Sequence, residues 1–255
     1  MILTSKNNPL IKETASLKEK KGRKQLGLFL VEGLKMTLEC QKSDLEIERV
    51  FLSESFTGDL PDFNAETVRV SDDVFRFLSD EKTPQGVLCR VKIPQNTLCA
   101  PKSSCLLLDG VADPGNVGAI VRTANAAGYT QLYLTEGCAD PYSPKAVRAS
   151  MSGIFFAKLR RKTKDETLKL LAGIPMIVAD MKGENVFSFR PPEKFCLVIG
   201  NEANGVSDEV RAAAAYTVKI PMSAHSESLN AGVSLAVMLY ELTAGKGLPL
   251  TGGVE

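Results

Sequence analysis

The chain has 255 residues, enough for one large domain or two modest ones, with 44% hydrophobic and 24% charged residues. That composition excludes a disordered, collagenous or disulfide-framework protein, and no apolar run approaches the roughly 18 residues of a membrane span. Its 31 basic and 30 acidic residues leave a net charge of +1, which excludes a uniformly basic surface but not local basic clusters.

Residues 1–24 carry seven basic and two acidic residues and read as a basic arm, helical from about Pro9. From Leu26 to Val91 short pieces alternate. Leu28–Val31, Arg49–Leu52, Thr67–Val70 and Gly86–Val91 have the apolar, β-branched character of strands. Gly33–Cys40 and the stretch after Ser71 have that of helices, the second with a serine cap. These elements predict a small α/β domain over 1–92. The proline-bearing, polar segment 93–104 reads as a linker.

A second domain, 105–255, opens on the buried-type strand Cys105–Leu108. Helices are predicted at 117–127, 144–151, 165–172, 207–215 and 229–242. Strands are predicted at 132–134, 154–156, 176–179, 195–199 and 217–220. Such alternation argues for a mostly parallel sheet covered by helices, with ligands at the carboxyl ends of its strands. Residues 158–164, KLRRKTK, form a second basic cluster, which standing alone reads as a solvated helix face or loop. The Gly-rich segment 245–255 reads as loose. The six cysteines show no C-x-x-C spacing and several sit in apolar runs. They are expected to be reduced and mostly buried, as in a cytoplasmic protein. The N-terminus lacks the apolar core of a secretory signal. One histidine, His225, with scattered cysteines argues against a metal centre.

Three stretches carry the chemistry. In DGVADPGNVGAIVRTANAAG (109–128) a strand meets a Gly/Pro turn and then a helix. Asn116 suits the helix cap, Val117, Ile120, Val121 and Ala124 form the buried stripe, and Arg122 lies off it. Its small neighbours Ala119, Ala126 and Ala127 leave room for another backbone or a ligand to approach closely. In LVIGNEANGV (197–206) a buried strand ends at Gly200 and a polar turn bearing Glu202. In IPMSAHSESLNAGVSLA (220–236) a strand ends at Ile220, a polar loop follows, and Ser228 or Asn230 starts an apolar helix. None of the three matches a dinucleotide fingerprint or a P-loop. Each alone also reads as an ordinary turn or cap.

In order, the three stretches resemble the motifs of the SpoU/TrmH RNA ribose methyltransferase family of the SPOUT superfamily. They match as Asn116-x-Gly-x-x-x-Arg122, Ile199-Gly-Asn-Glu-x-x-Gly205 and Ile220-Pro-Met…Ser-Leu-Asn230. Asp140–Gly153 is similar to the family's segment between its first two motifs, and Ala224, two residues after Met222 in the third motif, departs from the glycine usual at that position. The likeness covers about 105–243. The first domain, with Phe29–Gly33 and Thr83–Val87, resembles more loosely the ribosomal-protein-like RNA-binding domain that often precedes this catalytic domain.

The resemblance implies a SPOUT-type parallel sheet with a C-terminal trefoil knot, a homodimer, and methylation of a ribose 2′-hydroxyl from S-adenosyl-L-methionine. On the residues themselves no metal and no membrane partner is expected. By resemblance Gly200, Ile220, Leu229 and Met222 hold the cofactor, with the loop at Leu134–Glu136 closing the pocket. Arg122, Asn116, Ser228, Asn230 and Glu202 are the catalytic set. Free guanidinium keeps its proton to above pH ~12, so Arg122 is expected to orient and clamp rather than act as base. Phosphate contacts are expected from Lys18, Lys20, Lys21, Arg23 and Lys24, with the 158–164 cluster as a further candidate. Ribosomal RNA is favoured over transfer RNA. A non-catalytic RNA-binding module that kept the fold is the rival reading.

Overall fold

The computed structural model describes residues 2–95, 99–225 and 228–244. The chain folds into two compact units, one of Met1–Gln95 with Asp140–Phe155, the other of Asn96–Ala139 with Phe156–Glu255. The predicted linker lies partly outside the described residues; 93–95 and 99–104 carry neither helix nor strand. The tail 245–255 lies wholly outside them.

The first unit runs β1 (Ile2–Leu3), α1 (Pro9–Ser16), α2 (Lys20–Leu26), β2 (Leu28–Glu32), α3 (Leu34–Gln41), β3 (Ile47–Ser53), β4 (Glu66–Val70), α4 (Asp72–Leu78) and β5 (Val87–Lys92). Its sheet has the order β1-β4-β3-β5-β2, parallel at β1/β4/β3 and antiparallel at β3/β5 and β5/β2. The basic arm is therefore two helices. Asn8 caps α1 ahead of Pro9, and Gly27, at φ 66°, closes α2. Ile11, Leu17, Leu28, Leu30, Phe51 and Phe75 are fully or nearly fully buried in one cluster.

The second unit holds β6 (Cys105–Asp109), α5 (Pro114–Ala126) and β7 (Gln131–Thr135). After it the chain forms α6 (Pro144–Ser150), α7 (Gly153–Phe156), β8 (Lys158–Lys162), α8 (Lys164–Leu171), β9 (Met176–Asn185), β10 (Cys196–Gly200), α9 (Asp208–Ala212), β11 (Tyr216–Lys219) and α10 (Ala231–Thr243). Six parallel strands stand in the order β11-β9-β10-β6-β7-β8. Their near-continuous apolar runs, such as Leu106–Leu108 and Leu197–Val198, are fully buried, as a sheet covered on both faces requires.

Several local expectations differ. The predicted strand at 154–156 is the short helix α7; three apolar residues in a row carry no period that separates the two. The predicted helix at 207–215 shortens to α9, and the strand at 176–179 extends to Asn185. Asp140–Phe155, read as part of the second domain, groups with the first unit. There Arg23 donates to Asp140 from Nε at 2.8 Å and from Nη2 at 2.7 Å, and Tyr142 packs on Phe29 with ring centroids 5.0 Å apart.

β9 and β11 part midway. Thr217 stands opposite Val178, but the next residue, Val218, stands opposite Glu184, so residues 179–183 leave the ladder. A Cβ on Gly183 would lie 2.5 Å from the Thr217 carbonyl carbon and the Val218 nitrogen, so only glycine lets the strand rejoin. Residues 179–181 are thereby presented at the carboxyl end of the sheet.

Candidate active site

The site lies at the carboxyl ends of β6, β9, β10 and β11. The cap of α5 is Asp113, not Asn116. Its carboxylate accepts from the Asn116 N–H at 2.9 Å, and Pro114 takes the first helical position. The missing proline N–H costs nothing there. Freed from capping, the Asn116 side chain faces two other motifs. It donates from Nδ2 to Glu202 at 2.6 Å and accepts at Oδ1 from Asn230 Nδ2 at 2.7 Å. Asn230, not Ser228, caps α10, taking the N–H groups of Gly232 and Val233 on its Oδ1.

Glu202 also accepts from the N–H groups of Ala112 at 3.1 Å and Asp113 at 3.3 Å. Partial burial pushes its carboxyl up, but these hydrogen bonds and that of Asn116 outweigh burial and hold it below the usual carboxylate range. Behind it, buried Asp109 accepts from the Ser207 N–H at 2.8 Å, the Ser207 hydroxyl at 2.6 Å and the Thr135 hydroxyl at 3.2 Å. Asp109 was missed from the sequence; a carboxylate ending an apolar strand was its only signal. Arg122 is exposed on α5 and has no ion-pair partner among the described residues. One turn before it, Ala119 meets α10: a Cβ on Gly232 would lie 3.1 Å from the Ala119 Cβ. Of the three small residues expected to admit a close neighbour, Ala119 admits a helix.

A cleft of about 420 Å³ adjoins this network. Ile220, Met222, Ser228 and Leu229 line it, as expected from the third motif. So do Ala179, Asp180 and Met181 of the β9 departure, and Ser234 and Met238 of α10. The β9 residues were missed, because their exit from the ladder is set by the strand pairing and not by their own pattern. Asp180 pairs with Arg211 and accepts from the Lys182 N–H at 2.9 Å. Burial pushes its carboxyl up, and those bonds pull it below the ordinary range, so it stands ionised.

Three residues expected at the cofactor do not line this cleft. Gly200 is not among the lining residues. A Cβ there would sit 2.3 Å from the Gly205 carbonyl carbon, so the closed turn Asn201–Gly205 admits no side chain at this position. Leu134 is fully buried in β7. Glu136 lines a separate cavity of about 780 Å³.

The basic residues divide as well. Arg23 is 4% exposed and, besides Asp140, donates to the carbonyls of Leu17 and Lys18. Lys18 donates to the carbonyls of Phe77 and Ser79 at 2.6 and 2.8 Å. Lys20, Lys21 and Lys24 are exposed. The first five residues of the 158–164 cluster are β8, at the sheet's edge, Thr163 caps α8 and Lys164 opens it. Arg160 lies over the Tyr133 ring at 5.5 Å, and Arg161 donates to the carbonyls of Glu136 and Cys138. Both arginines are taken up by the fold. Of the six cysteines, all free, only Cys99 is exposed. Among the described residues no helix is long and apolar enough to cross a membrane, and no group of His, Cys, Asp and Glu forms a metal site.

The family described as SpoU rRNA Methylase matches residues 103–240, and the MRM3-like substrate binding domain matches residues 8–89. The chain belongs to the SpoU methylase family. This SpoU chain is 27% identical to the 23S rRNA (guanosine(2553)-2′-O)-methyltransferase RlmP of Bacillus subtilis, over 94% of this chain and 98% of that one. It is 29% identical to the 23S rRNA (uridine(2479)-2′-O)-methyltransferase of Streptomyces viridochromogenes, over 94% and 90%. The crystal structure of the SpoU methyltransferase AviRb from that organism, in complex with AdoMet, superposes with a TM-score of 0.85 at 25% identity, over 94% and 98%. The resemblance read from the three motifs is borne out.

Proposed function

We propose that the chain transfers the methyl group of S-adenosylmethionine to a ribose 2′-hydroxyl of ribosomal RNA. The observation that carries this reading is the hydrogen-bonded run Glu202–Asn116–Asn230, which joins all three motifs beside the 420 Å³ cleft.

The cleft suits the cofactor chemically. Ala179, Met181, Met222, Leu229 and Met238 offer apolar surface for a purine and an aliphatic chain. Asp180 offers a carboxylate to a cationic group, and Ser228 and Ser234 offer hydroxyls. Ile220 follows the last ladder pair, Lys219 with Asn185, so its backbone groups lie past the sheet's end. When bound, the cofactor supplies an electrophilic methyl on a sulfonium.

The chain's own work is to bring the 2′-oxygen behind that methyl and manage one proton. Arg122, exposed and without an ion-pair partner among the described residues, is the group left to grip the ribose–phosphate unit. Its guanidinium offers five donors in a fixed fork. Asn116 and Asn230 are fixed by each other and by Glu202, so their remaining polar capacity is pre-oriented toward the ribose. Ser228 adds a hydroxyl on the cleft wall. Lys20, Lys21 and Lys24 supply phosphate contacts from the first domain, 1–92, with 93–104 joining it to a catalytic domain over 105–255.

The same reading includes a C-terminal trefoil knot, supported by family membership and by the late strands β9, β10 and β11 standing together. It includes a homodimer, supported by the apolar groups that α10 and its approach leave in the open: Leu229 at 40%, Val233 at 49% and Tyr240 at 43% exposure. A cytoplasmic address is supported by the free thiols. The test is isothermal titration with S-adenosylmethionine together with methyl transfer to ribosomal RNA from cells lacking the gene. Micromolar binding and transfer at a single 2′-hydroxyl are expected. Absence of binding at millimolar cofactor rejects the reading in favour of a non-catalytic module, and transfer to transfer RNA alone rejects the substrate.

A further inference from the structure

The second cavity, about 780 Å³ at the carboxyl ends of β6, β7 and β10, is left unassigned by the cofactor cleft. We propose that it receives the base of the nucleotide whose ribose is methylated, and that it selects guanine through the carboxylate of Glu136 and the side-chain amide of Asn204. This rests on the methyl-transfer reading above.

Position is the first argument. Ala112 belongs to the cavity wall, and its N–H donates to Glu202, the carboxylate that also holds Asn116. Base and ribose of one nucleotide are joined by a single glycosidic bond. A ribose held at Asn116 and Asn230 therefore has its base within reach of the wall that begins at Ala112.

Shape is the second. The walls include Gly110, Gly137 and Gly205. Gly110 and Gly205 hold φ at +71° and +70°, where a side chain brings strain, and a Cβ on Gly137 would come within 3.3 Å of the Gly110 Cα. Bare peptide planes are thus available to a flat ring, where side chains would block it.

Charge and hydrogen-bonding capacity are the third. Asp109 is spent on Ser207 and Thr135. Asn201 is spent as well: its amide donates to the Gly110 carbonyl and its oxygen accepts from Ala203 and Asn204. Among the described residues the Glu136 carboxylate and the Asn204 side chain have no hydrogen-bond partner. Lys164, the cation on the wall, is paired with Glu209 at 3.0 Å, and that bond holds its ammonium charged. With that lysine already paired, the carboxylates of Asp109 and Glu136 leave the wall acidic, which disfavours a phosphate and calls for a ligand edge made of donors.

Guanine alone presents two adjacent donors, N1–H and the 2-amino group, which match the two oxygens of one carboxylate. The Asn204 amide can donate to O6. Adenine and cytosine set a ring acceptor beside their amino group, and uracil sets its single N–H between two acceptors. Each would oppose a lone pair to the Glu136 carboxylate and leave one of its hydrogen bonds unmade on binding.

The test uses the full chain, methyl-labelled S-adenosylmethionine and total RNA from cells lacking the gene, digested to nucleosides after reaction. Label is expected in 2′-O-methylguanosine. Glu136→Gln, which replaces one acceptor by a donor, is expected to lower that labelling roughly ten- to a hundredfold. Its affinity for S-adenosylhomocysteine by calorimetry should be unchanged. Label in another 2′-O-methylnucleoside, or full activity in Glu136→Gln, overturns the assignment. If the wild type labels no RNA, the methyl-transfer reading fails and saturation-transfer NMR with free nucleosides still decides the cavity. A guanosine signal that 1-methylguanosine does not give, and that Glu136→Gln loses, supports it; equal signals from both overturn it.

Discussion

Asn230 donates its side-chain amide to the Asn116 oxygen at 2.7 Å across 114 positions of sequence. One residue thus does two separable jobs, because its oxygen caps α10 while its amide reaches the first motif. Asn230→Ala removes both and is expected to cost about 1 kcal/mol of stability from the cap, together with most methyl transfer. Asn230→Asp keeps an oxygen for the cap but presents no donor to Asn116. It is expected to unfold within about 0.5 kcal/mol of the wild type and still lose transfer. Denaturant unfolding beside a transfer assay separates the two jobs; equal stability losses in both variants would refute the division.

Glu202 gives a pH signature. Its folded pKa lies below the unfolded value near 4.3, because hydrogen bonds from Asn116 and Ala112 outweigh burial. A depressed carboxyl contributes stability that is complete above the unfolded pKa and lost as pH falls through the folded one. The melting temperature of the wild type should therefore exceed that of Glu202→Gln at pH 7. The gap should close toward pH 3. A gap that is constant from pH 7 to 3 would show that ionisation of this carboxyl is not what holds the 201–205 turn to the first motif.

The sequence made the catalytic motifs legible because each pairs a buried strand end with a turn and a helix, a local pattern. It also carried most elements of both sheets, since apolar runs and turn residues are local signals. The second wall of the cleft was not legible. Ala179, Asp180 and Met181 enter it only because β9 leaves β11 between Val178 and Glu184, a matter of pairing between strands. Likewise Arg160 and Arg161 read as surface charge in a basic run. Only the β8/β7 register, with Arg160 beside Tyr133 and Arg161 beside Leu134, turns them onto the protein. Gly200 reads from the sequence as a bare backbone position, but that the Gly205 peptide is what forbids a side chain there is a matter of turn closure and not of local pattern.

Arg122 stands exposed on α5 with no ion-pair partner among the described residues, so removing it should leave the fold intact. Arg122→Ala is expected to keep its melting temperature within about 1–2 °C, the effect of a surface change. Its affinity for S-adenosylmethionine should persist while kcat falls by about 10² or more. Arg122→Lys keeps the charge but not the fork, and should recover little. Substantial rescue by lysine would make Arg122 a point charge rather than a bidentate grip, and full activity in the alanine variant would remove it from the site.

The two kinds of basic residue in the N-terminal helices should part company in the same experiment. Arg23 is buried against Asp140 and two carbonyls. Arg23→Ala leaves a carboxylate and two peptide oxygens without their donor, and is expected to destabilise by about 3 kcal/mol or more. Lys20, Lys21 and Lys24 are exposed on α2. Replacing all three by alanine should shift stability by about 0.5 kcal/mol or less. If they meet RNA phosphates, affinity for ribosomal RNA should drop and the slope of log K against log salt should shrink by about two to three, near 0.7–0.9 for each lost contact. Filter binding at several salt concentrations reads that slope directly. An unchanged slope in the triple variant would move the RNA contact elsewhere on the chain, while a stable Arg23→Ala variant with weakened RNA binding would return Arg23 to the interface.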